Sequence, residues 1–590
     1  PCNPPQVSLV KWFIDIEVFS GETLPNPDKD PVTCLTISDG LFYISAILDD
    51  VNYYSDEGIL HFDTEENLLK FVSGFLREHS PDLLCGWNIE FDVDYLEKRC
   101  KVLKIDFSLD GINAFDLLSG YRNLYRRKSY RLKDIALDEG LTNEIEEKVN
   151  YGQLWEQDKP KLLERNQRHT RWIVELDNKL NITDYYVELR ELVGLENMDN
   201  FYPSVLFDTI LLRRTPWVLP SKEHKEHKVY EGAYVQQPEP GELSNIANFD
   251  LSRFYPTVIT EEKLDPKILH EFRSFSPELN WKDYKEFAEI YVSGGNPTLL
   301  LQLVGDMVEQ RKKLQASVEH KGKLVALKAL LNASYGISAS PSFRLYTPEI
   351  PARVAEVARN IIIALGREID SWGYKVVYSD TDSVFVQVER DRVPEIENRI
   401  NDYLSKYGDY SIKLEHFFVK LLFSGSKKRY FGLDEFEVLH TTGFERVRSD
   451  SSNFTKEIQE NVVKLMLTDR VSEVIPYLRD RIDKIRKCSL RDIAITKTLS
   501  KDLEEYTKHK QNYILAAKEL NFKQGEAVNI IPCHNYPYGV AVFRDEEDLK
   551  KKVEVDWDAV VDKQIRAKVD ELLPLVGLEW REVVGQRKLL

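Results

Sequence analysis

The sequence predicts a multidomain chain of mixed α/β and α+β class, and three observations carry that expectation. Its 590 residues are several times the length of one typical domain, at about 150 residues each. Strand-like and helix-like runs alternate through the first part of the chain. In the second half two β-rich runs close on an acidic turn, KVVYSDTDSVFVQV (375–388), which is a hairpin signal.

Taken in order, VKWFIDIEV (10–18) has a strand pattern, and VTCLTIS (32–38) and LFYISAI (41–47) read as two further strands around a polar turn. NLLKFVSGFLREH (67–79) has the apolar spacing of a helix, and an α/β unit is expected to run to about residue 200. The stretch 215–245 contains Pro216, Pro220, Pro238, Pro240 and the charged run SKEHKEHK, which break that rhythm as an interdomain connection does. After it, ELSNIANFDLSRFYPTVI (242–259) is a strand running into a polar turn, and residues 298–336 are strongly helical. ARVAEVARNIIIALGREIDSWG (352–373) is a long amphipathic helix, and from about 452 the pattern is mostly helical and charged.

Composition narrows the function classes. Hydrophobic residues make up 42% of the chain and charged residues 30%, enough for sizeable cores and incompatible with global disorder. No run approaches the roughly 20 apolar residues of a membrane span, and the first residues lack the organisation of a signal peptide, so a cytoplasmic protein without a membrane partner is expected. Six dispersed cysteines without a CxxC pair give no zinc framework. A net charge of −18 excludes a generic nucleic-acid coat, so any nucleic-acid surface must be local. Two basic runs offer one: Arg311-Lys312-Lys313 with Lys321 and Lys323, and Lys427-Lys428-Arg429. Either run alone is ordinarily a solvated face.

The acidic turn is the most informative local feature. Asp380 and Asp382 sit between apolar strands, where carboxylates gain nothing from burial and need a partner, and Asp250 closes another apolar strand. Three carboxylates at strand ends can hold two Mg²⁺ ions about 3.5–4 Å apart, an arrangement suited to phosphoryl transfer. Cations are available between the acidic strands. Lys328, Asn332 and Tyr335 recur at helical spacing on one face, Gly336 follows at an expected helix break, and Arg311 precedes them. Directed at a triphosphate, a Lys and an Arg bind phosphate while Asn and Tyr meet base and sugar.

DLSRFYPTVI (250–259), KALLNASYG (328–336), YSDTDS (378–383) and KKRY (427–430) resemble, in order, motifs A, B, C and the KKxY element of family B DNA polymerases. DIE (15–17) and NIEFD (88–92) are similar to the first two exonuclease motifs, YEGAYV (230–235) to the element between nuclease and polymerase, and the wording of 230–260 and 443–450 looks archaeal. The resemblance implies a ribonuclease-H-like exonuclease domain followed by the palm, fingers and thumb of a right-hand polymerase. It places an exonuclease-like domain at 1–200, a connector at 201–245, palm at 246–296 and 341–450, fingers at 297–340 and thumb at 451–590. It implies that Asp250, Asp382 and the Leu251 backbone bind two Mg²⁺ ions, with Mn²⁺ able to substitute, and that Asp380 is more peripheral. The backbone of Leu251, Ser252, Arg253 and Phe254 would cradle the triphosphate, and Tyr255 would stack under the sugar and exclude a 2′-hydroxyl. Arg311 and Lys328 would hold β- and γ-phosphates, with Asn332 and Tyr335 lining the nascent base pair. Tyr230, Gly232, Gly336, Lys427, Lys428 and Tyr430 would contact primer–template DNA. The implied partners are primer–template DNA and dNTPs, with a sliding clamp or accessory subunits as further candidates, and the expected state is a monomer.

The chain departs from the family pattern in its nuclease half. Asp15, Glu17 and Asp92 are present, but aligning HTRWIVEL (169–176) with the Tyr-x-x-x-Asp third motif puts His169 at Tyr and Ile173 at Asp. Glu175 or Asp177 would replace the missing carboxylate in a shifted register. Ile cannot ligate Mg²⁺, so weak or absent proofreading is expected, with Asp15, Glu17 and Asp92 a vestigial set that is either a relic or still binds a metal without turnover. The first nuclease motif begins at residue 15, so the large N-terminal domain of relatives is expected to be missing or truncated. Gln315 stands where many relatives carry a second phosphate-binding Lys and Ala333 where Ser is common, which should weaken nucleotide affinity. The short span from Asp250 to Lys328 leaves no room for the insertion of protein-primed relatives, so a nucleic-acid primer is expected. Together these departures imply a repair or lesion-bypass role. The rival reading is a non-catalytic DNA-binding scaffold, which has no physical need for clustered carboxylates beside a phosphodiester.

Overall fold

The structure is a computed structural model that describes residues 9–19, 25–49, 58–125, 127, 129–143, 151–195, 201–215, 218–314, 321–444, 452–499, 501–506, 512–544, 548–549 and 551–585. It forms two compact units, Pro1–Glu226 with Gln302–Tyr346, and His227–Leu301 with Thr347–Leu590. Gln315 lies outside the described residues.

The first unit is built on a six-stranded mixed sheet of β1 (Lys11–Val18), β2 (Val32–Ser38), β3 (Tyr43–Leu48), β4 (Ile59–Phe62), β5 (Leu83–Gly86) and β6 (Asn113–Asp116), in the order β4-β3-β2-β1-β5-β6. β1 pairs antiparallel with β2 and parallel with β5. Its helices are α1 (Glu65–His79), α2 (Ile89–Val102), α3 (Leu117–Leu124), α4 (Leu132–Asp138), α5 (Tyr151–Gln157), α6 (Lys159–Leu180), α7 (Ile182–Val193) and α8 (Pro203–Arg214). The two-residue period of β1 sorts its side chains. Trp12, Ile14, Ile16 and Val18 enter one core with Leu68, Val72 and Leu96 of α1 and α2. Asp15 and Glu17 therefore face the other way, and α6 covers β1, β2 and β3. β2 is buried along its whole length, as its unbroken VTCLTIS run requires of a strand covered on both faces.

Two helices from the later segment of this unit, Leu300–Leu314 and Lys321–Ser338, correspond to the helical stretch read at 298–336, and the second packs on α7 and α8. Gly336 does not break it. The helix continues to Ser338, and a Cβ at Gly336 would meet nothing within 4 Å, so no turn is imposed there.

The second unit carries a six-stranded antiparallel sheet of β7 (Gly241–Leu251), β8 (Lys375–Asp380), β9 (Ser383–Gln387), β10 (Ile412–Phe423), β11 (Tyr430–Asp434) and β12 (Leu439–Thr442), in the order β12-β11-β10-β7-β9-β8. Ile246, Tyr378, Phe385, Phe418 and Phe423 pack together on it. β8 and β9 are the expected hairpin, and the amphipathic helix read at 352–373 spans Glu349–Ser371. Among residues 218–240 there is no helix and only an isolated bridge at Val235, while 241–245 already belong to β7.

The C-terminal part is not purely helical. A three-stranded antiparallel sheet, β13 (Ile495–Thr498), β14 (Ala527–Pro532) and β15 (Val540–Phe543), lies among its helices. These strands, ITKT, AVNIIP and VAVF, show no strict apolar–polar alternation, so the sequence pattern does not mark them.

Candidate active site

In the second unit the two acidic segments come together by strand pairing. Asp250, the penultimate residue of β7, lies opposite Ser383 of β9, and Ser383 in turn faces Asp380 of β8. The Leu251 amide donates to the Asp382 carbonyl at 2.8 Å, and the Ser383 hydroxyl donates to the Asp250 carboxylate at 3.3 Å. The β8–β9 turn is tight. Thr381 takes a left-handed backbone (φ 61°), uncommon for a β-branched residue, and its amide donates to the Tyr234 carbonyl at 2.8 Å. The segment 230–236 thus braces the acidic turn, with Gln236 donating to the Ser379 carbonyl at 2.9 Å.

The three carboxylates are not equivalent. Asp380 is engaged by Lys428 Nζ, by the Thr381 hydroxyl at 3.0 Å and by the Tyr378 hydroxyl at 3.3 Å. Burial first, then Asp380 and Glu415, push the Asp382 carboxyl above the usual carboxylate range, with Lys428 pulling the other way. Glu415 is one residue that sequence reasoning missed; it lies on β10 and accepts from Asn248 of β7 at 3.0 Å. Its signal, one acid inside IKLEHFFVKLLF, has no local motif.

The neighbours of this turn sit as follows. Arg253 has a left-handed backbone (φ 55°) and precedes the helix Phe254–Glu261. The Ser252 amide donates to the Ser411 carbonyl at 2.9 Å, so the amides of Leu251 and Ser252 both have partners inside the protein. Phe254 is buried against Tyr410, which makes it packing. Burial and then Asp382 raise the Tyr255 hydroxyl to about 12, with Tyr230 and Arg359 as further electrostatic neighbours. Arg359, also missed from the sequence, donates to the carbonyls of Glu231 and Gly232 at 2.7 and 2.6 Å and pins the segment holding Tyr230 and Gly232. Lys427 and Lys428 are exposed, whereas Tyr430 is half-buried and packs against Tyr378, Phe385 and Phe423.

Arg311, Lys328, Asn332, Tyr335 and Gly336 belong to the first unit. Lys328, Asn332 and Tyr335 lie on one face of the helix Lys321–Ser338; Lys328, Asn332 and Gly336 are exposed and Tyr335 is half-buried.

In the first unit the acids of β1 meet a side chain of α6. Among the described residues, the group of three ionisable side chains with ligand atoms all within 4.8 Å of one another is Asp15, Glu17 and His169. The His169 Nδ1 lies 3.8 Å from both Asp15 Oδ2 and Glu17 Oε1. Ile173, one turn further along α6, is fully buried in packing, so it is His169 that faces the β1 carboxylates. Neither Glu175 nor Asp177 belongs to this group. Asp177 is buried and accepts from the Thr183 amide at 2.8 Å, its hydroxyl at 2.5 Å and Lys11 at 3.3 Å, while Glu175 is exposed. Asn166, a turn before His169, donates to Asp15 Oδ2 at 2.8 Å. Asp92 on α2 is buried, and burial followed by Asp15 and Asp116 pushes its carboxyl well above the usual range.

The model of DNA polymerase family B matches residues 203–573, and that of the DNA polymerase family B exonuclease domain matches residues 4–148 and ends before α6. DNA polymerase 2 of Aeropyrum pernix is 26% identical over 98% of this chain and 76% of its own length. The DNA polymerase of Thermococcus sp. (strain 9oN-7) is 27% identical over 89% of this chain and 74% of its own. The solved family B DNA polymerase of the hyperthermophilic archaeon Pyrobaculum calidifontis shares the fold with a TM-score of 0.67 at 23% identity, over 97% of this chain and 79% of that one.

Proposed function

The chain belongs to the family B DNA polymerases, and from that premise we propose that it extends a primer 3′-hydroxyl with dNTPs at the Asp250/Asp382 turn, without efficient proofreading. The observation that carries this reading is the pairing of β7 with the β8–β9 hairpin, which puts Asp250 and Asp382 side by side at one sheet end. Their donors fit a divalent cation. They are hard carboxylate oxygens, and the desolvated Asp382, crowded by Asp380 and Glu415, holds negative charge that a cation relieves. Bound there, Mg²⁺ or Mn²⁺ would lower the pKa of the attacking hydroxyl and stabilise the leaving oxygen.

The protein's own part is positioning. The in-line attack on the α-phosphate, with pyrophosphate leaving, needs the primer end and the triphosphate fixed to within a fraction of an ångström. The Thr381–Tyr234 and Gln236–Ser379 hydrogen bonds hold the acidic turn rigid for this purpose. Exposed Lys427 and Lys428 bind template–primer phosphates, and Arg311 and Lys328 the triphosphate. Within the family fold we assign 1–200 to a nuclease-like domain, 201–245 to a connector, 246–296 and 341–450 to palm, 297–340 to fingers and 451–590 to thumb. The enzyme is taken as a cytoplasmic monomer; no described helix is long and apolar enough to cross a membrane. A histidine where a carboxylate is expected in the nuclease site supports a repair or lesion-bypass role.

A 5′-labelled primer on a longer template, incubated with Mg²⁺ and dNTPs, tests the reading. Extension that disappears in Asp382→Ala supports it, and tight template binding with no extension by the unmodified protein overturns it. The bypass role is tested by templates carrying single lesions, and arrest at every lesion combined with high fidelity on undamaged DNA would end it.

A further inference from the structure

The donors of the nuclease-like site do not fit the two Mg²⁺ ions that its motifs imply. Mg²⁺ demands an octahedron of hard oxygens, and α6 presents an imidazole in place of a carboxylate. The remaining acids, Asp15, Glu17 and Asp92, carry at most three negative charges against the four positive charges of two divalent ions.

We propose that Asp15, Glu17 and His169, with Asp92 beside them, hold one divalent cation of the Zn²⁺ class that pins α6 to β1. Two ligands about 2.1 Å from a tetrahedral ion stand about 3.4 Å apart, and the His169 nitrogen stands 3.8 Å from each of its two carboxylate oxygens. All three ligand atoms lie within 4.8 Å of one another, so side-chain shifts of about an ångström bring them onto a single ion. Imidazole with carboxylate favours Zn²⁺, Co²⁺ and their neighbours over Mg²⁺.

A second observation points to the same place. Asp92 is 5% exposed, and its Oδ2 has no hydrogen-bond partner among the described residues. Its strongest electrostatic neighbour is Asp15. A buried carboxylate oxygen beside another carboxylate is costly unless a cation joins them. The supporting shell is also in place: Asn166 donates to Asp15 Oδ2 at 2.8 Å and accepts from the Thr36 hydroxyl at 2.6 Å, which fixes the Asp15 carboxylate. The ion joins residues more than 150 positions apart in sequence, so its role is to clamp the helix that closes the sheet face. No hydrolysis is required of it.

The test uses the full chain carrying Asp250→Asn and Asp382→Asn, which removes the polymerase carboxylates as competing ligands. Co²⁺ is titrated in as the probe in the presence of excess Mg²⁺, with visible ligand-field absorption and thermal melting as readouts. The expected result is one tightly held equivalent displaced by Zn²⁺, with a raised melting temperature. His169→Ala and His169→Asn should each weaken binding at least tenfold, and His169→Asp should shift competition towards Mg²⁺; two truncations of different polarity guard against one that fails to fold. Absence of any equivalent that resists Mg²⁺, or binding unchanged in the folded His169 variants, overturns the proposal. So does a sulfur-to-cobalt charge-transfer band, which would place the ion on a cysteine.

Discussion

The two six-stranded sheets of this protein both carry paired acids, but they complete their sites differently. In the second unit, Asp250 and Asp382 stand where strands end and are brought together by neighbouring strand pairs, with Lys428 balancing Asp380. In the first unit, Asp15 and Glu17 lie within β1, and the third member comes from α6, some 150 residues later, as His169. A strand-end site is closed by backbone hydrogen bonds and tolerates little drift. A site closed by a helix face depends on which residue of that helix points inward, and here an imidazole does.

The largest effect that would test this contrast is at the strand-end site. Asp250→Asn and Asp382→Asn should each lower kcat/KM for extension by at least about 10³-fold while primer–template binding stays within a few-fold, because the loss is confined to the transition state. Single-turnover kinetics with a binding titration check this, and equal losses in both would indicate a folding defect.

The helix-completed site makes a paired prediction next. His169→Asp should bring Mg²⁺-dependent shortening of a primer without dNTPs at least tenfold above the unmodified protein, since it restores a carboxylate against β1. Ile173→Asp should restore none and should destabilise the fold by on the order of 3 kcal/mol, because it buries an unpaired acid. Primer shortening and thermal melting of the two variants read this out, and activity in Ile173→Asp rather than His169→Asp would reverse the register.

The smallest effect concerns the cation of the second unit. Lys428→Ala should weaken primer–template affinity several-fold and reduce the slope of log affinity against log salt by about 0.9, the value of one phosphate contact. Binding measured by fluorescence anisotropy at several salt concentrations checks it, and an unchanged slope would confine Lys428 to its ion pair with Asp380.

Much of the fold was legible because the decisive patterns are local. VTCLTIS gave the buried strand β2 at its observed boundaries, and the YSDTDS hairpin and DLSRFYP turn marked the acidic sheet end, since apolar runs that stop at Asp leave few alternatives. What escaped was settled by tertiary contact. Arg359 and Glu415 act through partners distant in sequence, and the packing of Tyr430 among Phe385 and Phe423 is likewise a tertiary contact. On α6 several residues in one stretch satisfy helical spacing equally well, and only packing against β1 selects His169 over Ile173. The strands β13 to β15 lack the strict alternation that would mark a half-buried strand in the sequence.

The central contrast is tested most directly by one assay on one sample: a 5′-labelled primer with a mispaired 3′ end, annealed to template with Mg²⁺, followed with and without dNTPs. The account predicts extension from the mispair when dNTPs are present and a primer of unchanged length when they are absent. Rapid shortening without dNTPs, which persists in Asp382→Ala, would show that the β1–α6 site hydrolyses DNA and would contradict it.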